Sequence, residues 1–295
     1  MKKNGLAIAA LIGVTIAWGA SFVIMKPAME LIQVYDFLAI RFTIAAALMV
    51  LARPKTVLAF KSDTLKYGLI LGLILAIAYI TQTIGLTVST AAITGFITGL
   101  YVILTPILIW LIFRKRPNPA VAIAVVLATI GLGFITIKDA SFDVGQFWTL
   151  ACALAFALHI VGLSKWSIGK DVYALTVIQL GAVGLFCWVG AVPDGVELTT
   201  EPVVWFAILF TAVFATAVAF FIQTWAQSIM DASRVAIILT MEVVFAALTS
   251  VLVGQEVLAV QTIIGGTLML IAMLVVEWPR KDSKPDDVVY EPMPH

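Results

Sequence analysis

Glu242 stands about ten residues into a continuous apolar stretch, between Ile237-Ile238-Leu239 and Val243-Val244-Phe245. A carboxylate at that depth in hydrocarbon is expensive, so it must face protein or water rather than lipid. Two kinds of chemistry suit it. One is proton coupling or recognition of a substrate ammonium group; the other is a neutral, hydrogen-bonded packing role.

Other polar groups fall inside apolar stretches in patterned positions. Thr94, Thr98, Tyr101 and Thr105 are spaced by four, three and four residues, which puts their hydroxyls on one helical stripe suited to a wet cavity. Threonines bonding back to their own helix, with Gly95-x-x-x-Gly99 marking a tight crossing, would give the same spacing without a cavity. Tyr79, Gln82 and Thr83 form a comparable patch, and Gln223 occupies the position equivalent to Gln82 later in the chain. His159 is the one histidine in an apolar stretch and fits either a proton relay or a satisfied hydrogen-bonding role. Trp18 lies mid-span, away from the interfacial belts where Trp148, Trp188, Trp205 and Trp278 fall, so its indole is placed to stack on a solute or simply to pack. Arg41, about a turn into its stretch, is expected to snorkel to the interface and pair with Glu30 or Asp36. The expected substrate cavity is thus Trp18, Tyr79, Gln82, Thr83, Thr94, Thr98, Tyr101, Thr105, His159, Gln223 and Glu242, with no catalytic residue, metal ligand or cofactor.

Residues of this kind need a lipid-embedded frame. Hydrophobic residues make up 62% of the 295 and charged residues 12%, and the mean hydropathy is +1.09. Such a surface would aggregate in water. A hydrocarbon core of about 30 Å takes about 20 helical residues. Ten stretches satisfy this, near residues 5–25, 36–52, 65–86, 91–113, 118–137, 144–164, 172–192, 202–225, 233–254 and 258–277. Fifteen Lys and Arg fall on the side of the N-terminus, against Lys26 and Lys138 on the other, which makes both termini cytoplasmic. The first stretch is too long for a cleaved signal peptide and reads as a retained helix. Cys152 and Cys187 lie within spans and read as small packing residues, with no disulfide expected. Small residues recur at intervals of four in Gly5, Ala9, Gly13 and Ala17, in Gly68, Gly72 and Ala76, and in Ala120, Ala124 and Ala128, which favours close helix approach. The charged, proline-punctuated residues 280–295 are expected to be a disordered cytoplasmic tail.

The chain also resembles itself at an offset of about 138 residues. Val34-Tyr35 aligns with Val172-Tyr173, Gln82-Thr83 with Gln223-Thr224, and Ile103-Leu104-Thr105-Pro106 with Ile238-Leu239-Thr240-Met241. Five spans per half is odd, so the second copy would enter the membrane from the opposite face. That predicts an all-α membrane protein of ten transmembrane helices built as two inverted five-helix repeats, 1–140 and 141–279.

Trp18-Gly19-Ala20-Ser21-Phe22-Val23, Lys26 and Arg41-Phe42 resemble the opening of EamA-type proteins of the drug/metabolite transporter (DMT) superfamily. Residues 91–106 are similar to that family's fourth helix, and Met241 to Leu248, on through Gly254-Gln255-Glu256, to its ninth helix and the turn after it. Where the family usually has Glu-Pro, Val243 replaces the proline. The resemblance, over about residues 5–277, implies ten helices in two five-helix repeats and export or exchange of small metabolites, amino acids prominent among them.

The expected function is a secondary transporter, an exporter or exchanger, carrying a small neutral or zwitterionic metabolite, an amino acid first, by alternating access. The sequence has no Gly-x-x-x-x-Gly-Lys-Ser/Thr loop for ATP. The alternative, a membrane-embedded enzyme acting on lipid or peptide, finds no His-Glu-x-x-His or Gly-x-Ser-x-Gly. Expected partners are the solute, membrane lipid and protons, with no nucleic acid, in a monomer or homodimer of the bacterial inner (cell) membrane.

Overall fold

The computed structural model describes residues 2–58, 60–89, 91–136, 144–196, 199–254 and 260–277. The expected tail 280–295, Trp278 and Lys138 lie outside the described residues. Within them every regular element is helical: α1 (Lys2–Ala28), α2 (Val34–Ala52), the single turn α3 (Lys55–Leu58), α4 (Ser62–Val88), α5 (Ala91–Gly99), α6 (Tyr101–Phe113), α7 (Pro119–Thr136), α8 (Val144–Trp166) and α9 (Val172–Ala191) come first. A short 3₁₀ turn (Val192–Asp194) precedes α10 (Pro202–Phe210), a π-helical segment (Thr211–Val218), α11 (Ala219–Gln227), α12 (Ala232–Leu239), α13 (Met241–Leu252) and α14 (Val260–Glu277).

Seven runs among the described residues are long and apolar enough to cross a membrane: Asn4–Ala28, Val34–Ala52, Ser62–Val88, Val144–Trp166, Val172–Ala191, Pro202–Gln227 and Ala232–Leu252. Ile97–Phe113, Pro119–Gly131 and Ile263–Val275 are shorter apolar helices, and they fall in the expected spans 91–113, 118–137 and 258–277. The protein is a multi-pass membrane protein, and its side chains are sorted accordingly. Leu51, Leu111, Leu185, Val189 and Leu252 are exposed, while Arg41, His159, Gln179, Gln227 and many threonines are buried. Hydrocarbon offers polar groups no partner, so they turn inward to find one another.

The helices pack in reciprocal pairs. α1 lies against α13, and α8 against α5 and α6; α4 lies against α8, and α1 against the rod formed by α10, the π segment and α11. α2 packs on α9 and α7 on α14. Exchanging α1 with α8, α2 with α9, α4 with the α10–α11 rod, α5–α6 with α12–α13 and α7 with α14 maps these contacts onto themselves.

Small residues set the closest approaches, though not all those on the sequence stripes do so. A Cβ on Gly72 would stand 2.8 Å from the Gln179 carbonyl of α9, and one on Gly131 2.6 Å from the Gly265 carbonyl of α14. A Cβ on Gly5, Gly13 or Gly95 would meet nothing within 4 Å among the described residues outside its own helix's backbone. Their place in the spacing pattern is not matched by a close approach there.

Two spans expected to be continuous are broken. Between α5 and α6, Leu100 (φ −61°, ψ −12°) turns more tightly than an α-helix; between α12 and α13, Thr240 (φ −62°, ψ −15°) does the same. At each break the N–H three residues later bonds the turning residue's carbonyl: Ile103 to Leu100 at 3.0 Å and Val243 to Thr240 at 3.1 Å. These are 3₁₀-type bonds. Proline is not needed at the second break. Thr240 instead donates its hydroxyl to the Ile237 carbonyl at 2.7 Å, the back-bonding that bends helices.

The crossing of α1 and α13 is close to its limit, because a Cβ on Gly19 would stand 2.6 Å from the Glu242 carbonyl and 2.6 Å from the Ala246 nitrogen. Overpacking of this kind costs about 1–3 kcal/mol. Gly19→Ala is therefore expected to lower the thermal unfolding midpoint of the detergent-solubilised protein, whereas Gly13→Ala, facing open space, leaves it unchanged or raised; parallel melting curves of the two variants check this.

Candidate functional site

The tight turns bring the middles of the broken helices together with α1, α2, α4, α8 and α11. At this meeting point lies a cavity lined by Trp18, Ser21, Phe22, Met25, Arg41, Tyr79, Gln82, Thr83, Leu86, Thr98, Tyr101, Phe156, Ile160, Gln223, Leu239 and Glu242. It holds about 550 Å³ of unfilled space, the part that opens outward included. Of the eleven residues expected from sequence to line a cavity, Trp18, Tyr79, Gln82, Thr83, Thr98, Tyr101, Gln223 and Glu242 are brought together here. Thr94, Thr105 and His159 are not among the lining residues. Thr98 and Tyr101 flank the turn at Leu100, whereas Thr94 and Thr105 each lie four residues further from it and are fully buried.

Glu242, only 4% exposed, accepts a hydrogen bond from the Tyr101 hydroxyl at 3.3 Å. Each partner sits just beyond a helix break, so this bond ties the two breaks to each other. The Tyr79 ring meets Phe42 edge-on at 4.9 Å and Phe156 at 5.4 Å, forming an aromatic wall. The Gln82 amide donates to Thr98 Oγ1 at 3.3 Å. Gln223 donates to Gln227 Oε1 at 3.0 Å, and Gln227 in turn donates to the Ile160 carbonyl at 2.7 Å and Ser164 Oγ at 2.8 Å. Among the described residues two lining atoms have no hydrogen-bond partner: Thr83 Oγ1 and Gln223 Oε1. Buried polar atoms in that condition are costly unless water or a solute meets them.

His159 lies behind this wall. Its ring packs edge-on against Phe220 at 6.0 Å, and Nε2 is 2.9 Å from Gln179 Oε1. Gln179 continues to Thr224 Oγ1 at 3.2 Å, so the histidine belongs to a polar chain between α8, α9 and α11.

Arg41 departs most from expectation. It does not snorkel: its side chain is 1% exposed and points into the cavity. The cause is the π segment, whose widened winding offers polar groups to its neighbours. Arg41 Nε donates to Thr216 Oγ1 at 2.8 Å, and the Ala215 carbonyl accepts from Trp18 Nε1 at 2.8 Å and from Arg41 Nη2 at 3.5 Å. The guanidinium lies over the Tyr79 ring at 4.9 Å and the Phe42 ring at 5.3 Å. The sequence carried a signal, since a charge inside a span marks a functional position by default; its closeness to the span end suggested an interfacial role instead. Phe156, Ser21, Phe22 and Met25 carried none, being indistinguishable from ordinary span residues. At the rim, Lys26 Nζ donates to the Leu86 and Ser89 carbonyls at 2.6 and 3.0 Å, capping the C-terminal end of α4 with a cation.

The Tyr101–Glu242 bond can be probed by a double-mutant cycle. Removing one partner of a buried polar pair costs about 1–3 kcal/mol. Tyr101→Phe is expected to destabilise the wild-type protein by that order and to cost less in a Glu242→Gln background, as read from thermal unfolding of the four variants.

Comparison with known proteins agrees with this frame. The model of the EamA-like transporter family matches the chain twice, at residues 5–137 and 143–278. A protein of Archaeoglobus fulgidus described as an uncharacterized transporter is 34% identical over 273 residues, covering 92% of this chain and 84% of that protein. One solved crystal structure resembles the chain with a TM-score of 0.74 at 18% identity, covering 91% of this chain and 96% of that one; this likeness is one of fold. With an apolar multi-pass frame, an interior polar cavity and a family match over both halves, this chain belongs to the EamA-like transporter family of the drug/metabolite transporter superfamily.

Proposed function

We propose that the protein is a secondary transporter that moves a small neutral or zwitterionic metabolite, with amino acids as first candidates, by alternating access through the cavity around Tyr101 and Glu242. In this reading the chain crosses the membrane ten times as two inverted five-helix halves, keeps both termini in the cytoplasm and works as an exporter or exchanger in the cell membrane. The observation that carries it is the cavity itself: groups from both halves converge there, and two of its polar atoms have no hydrogen-bond partner among the described residues. The double family match and the exchange symmetry of the helix contacts support repeated halves. The predominance of Lys and Arg on one side supports cytoplasmic termini.

The enzyme reading would be favoured by Glu242, His159 and a serine in reach of one another. Ser21 shares the cavity with Glu242, but its hydroxyl is donated to the Trp18 carbonyl at 2.7 Å, and His159 stands behind Phe220. That separation favours transport. With no ATP-binding loop in the sequence, the drive would come from the solute's own gradient or from protons.

Purified protein in liposomes provides the test. Flux of at least one labelled neutral amino acid above that of empty liposomes is expected, and a pH gradient that speeds it in wild type but not in Glu242→Gln would assign proton coupling to the carboxylate. Absence of flux for every solute in a broad metabolite panel would overturn the transporter reading.

A further inference from the structure

We infer that Arg41 anchors the anionic end of the cargo, so that the transported solute carries a carboxylate. This inference rests on the transporter reading of the same cavity. A guanidinium has five N–H donors in a planar fork that matches a carboxylate bidentately. Here Nε has a short contact, to Thr216 Oγ1 at 2.8 Å, and the Tyr79 side chain is a further hydrogen-bonding neighbour. Nη1 has the thioether sulfur of Met25 at 3.5 Å, a weak acceptor, and Nη2 has the Ala215 carbonyl at 3.5 Å, at the limit of a hydrogen bond. Beside the Tyr79 neighbour, five N–H donors thus share one short and two long contacts, although the residue is 1% exposed. Among the described residues no carboxylate lies within ion-pair distance of Arg41, whereas Arg53, at the C-terminal end of the same helix, pairs with Asp171 at 3.8 Å.

A buried charge left without a counterion is costly, and a protein keeps one where something else completes it. The surroundings hold the fork in place for that purpose. The π segment grips its Nε edge, while the Tyr79 and Phe42 rings flank the guanidinium carbon at 4.9 and 5.3 Å. Rotation is restrained, and the Nη edge is left for a planar anion. Among the lining residues the charged types are Arg41 and Glu242. A solute with a carboxylate for the first and an ammonium for the second, its body against Trp18 and Phe156, complements both.

Three probes of similar size separate the contributions: phenylalanine, with both charges; 3-phenylpropionate, with the carboxylate alone; and phenethylamine, with the amine alone. Each is tested as a competitor of the amino acid that proteoliposomes carry fastest. The expected result is inhibition by phenylalanine and by 3-phenylpropionate, with phenethylamine much weaker. Arg41→Met should weaken 3-phenylpropionate by about ten- to a hundredfold, the worth of a charge-assisted hydrogen bond, and Arg41→Lys should recover part of it. If Arg41→Met does not fold, the order of the three probes on wild type decides. Phenethylamine competing as well as the acid, flux confined to solutes without a carboxylate, or unchanged inhibition in Arg41→Met would each overturn the anchor while leaving the transporter reading in place. No flux of any solute would remove the reading, and the anchor with it.

Discussion

A chain dissolved in hydrocarbon has nowhere outside itself to satisfy a polar group, and the interior of this protein is organised around that constraint. Its most demanding consequence is the guanidinium of Arg41, which lies inside a shell of rings and backbone contributed by α1, α2, α4 and the π segment. The π winding of Thr211–Val218 lets one rod present the Ala215 carbonyl and the Thr216 hydroxyl to two neighbouring helices at once. Trp18 and Arg41 are fixed by the same few atoms. The indole and the cation of the cavity are therefore both held by one local departure from α-helical winding.

The second organising feature is the pair of tight turns at Leu100 and Thr240. Each interrupts a rod at the depth of the cavity, and the residues just beyond them, Tyr101 and Glu242, meet across the gap at 3.3 Å. Interrupted helices at matching places in two related halves mark binding sites in many transporters, because the broken backbone and its neighbours can face a solute rather than a partner helix. Gly19 makes this arrangement possible on the α1 side: any side chain there would collide with the backbone of the turn that carries Glu242.

A third layer, reaching the cavity at Gln223, stabilises the frame. His159, Gln179 and Thr224 join α8, α9 and α11, and Gln223, Gln227 and Ser164 form a parallel chain beside them. Trp188 on α9 donates to Thr43 on α2 at 2.9 Å. Side-chain bonds between membrane helices are individually modest, roughly 0.6 kcal/mol on average. Linked in chains they fix the rotation of each rod about its own axis, which apolar contact with lipid-like neighbours does not.

Hydropathy, side-chain chemistry and internal similarity were legible in the sequence, because each depends on local composition. The apolar stretches, the similarity of Gln82-Thr83 to Gln223-Thr224 and the oddness of Glu242 needed no coordinates. The direction in which a polar side chain turns was not legible, since it depends on what another helix offers. Arg41 lies near enough to a span end to snorkel, and only the carbonyl of Ala215 and the hydroxyl of Thr216, some 175 residues away, draw it inward. Thr94 and Thr105 share a spacing pattern with Thr98 and Tyr101, but of the four the cavity reaches the two that flank a turn at Leu100 that no proline announces. Periodicity assumes constant winding, and at three places in this protein tertiary contacts accompany a change in it.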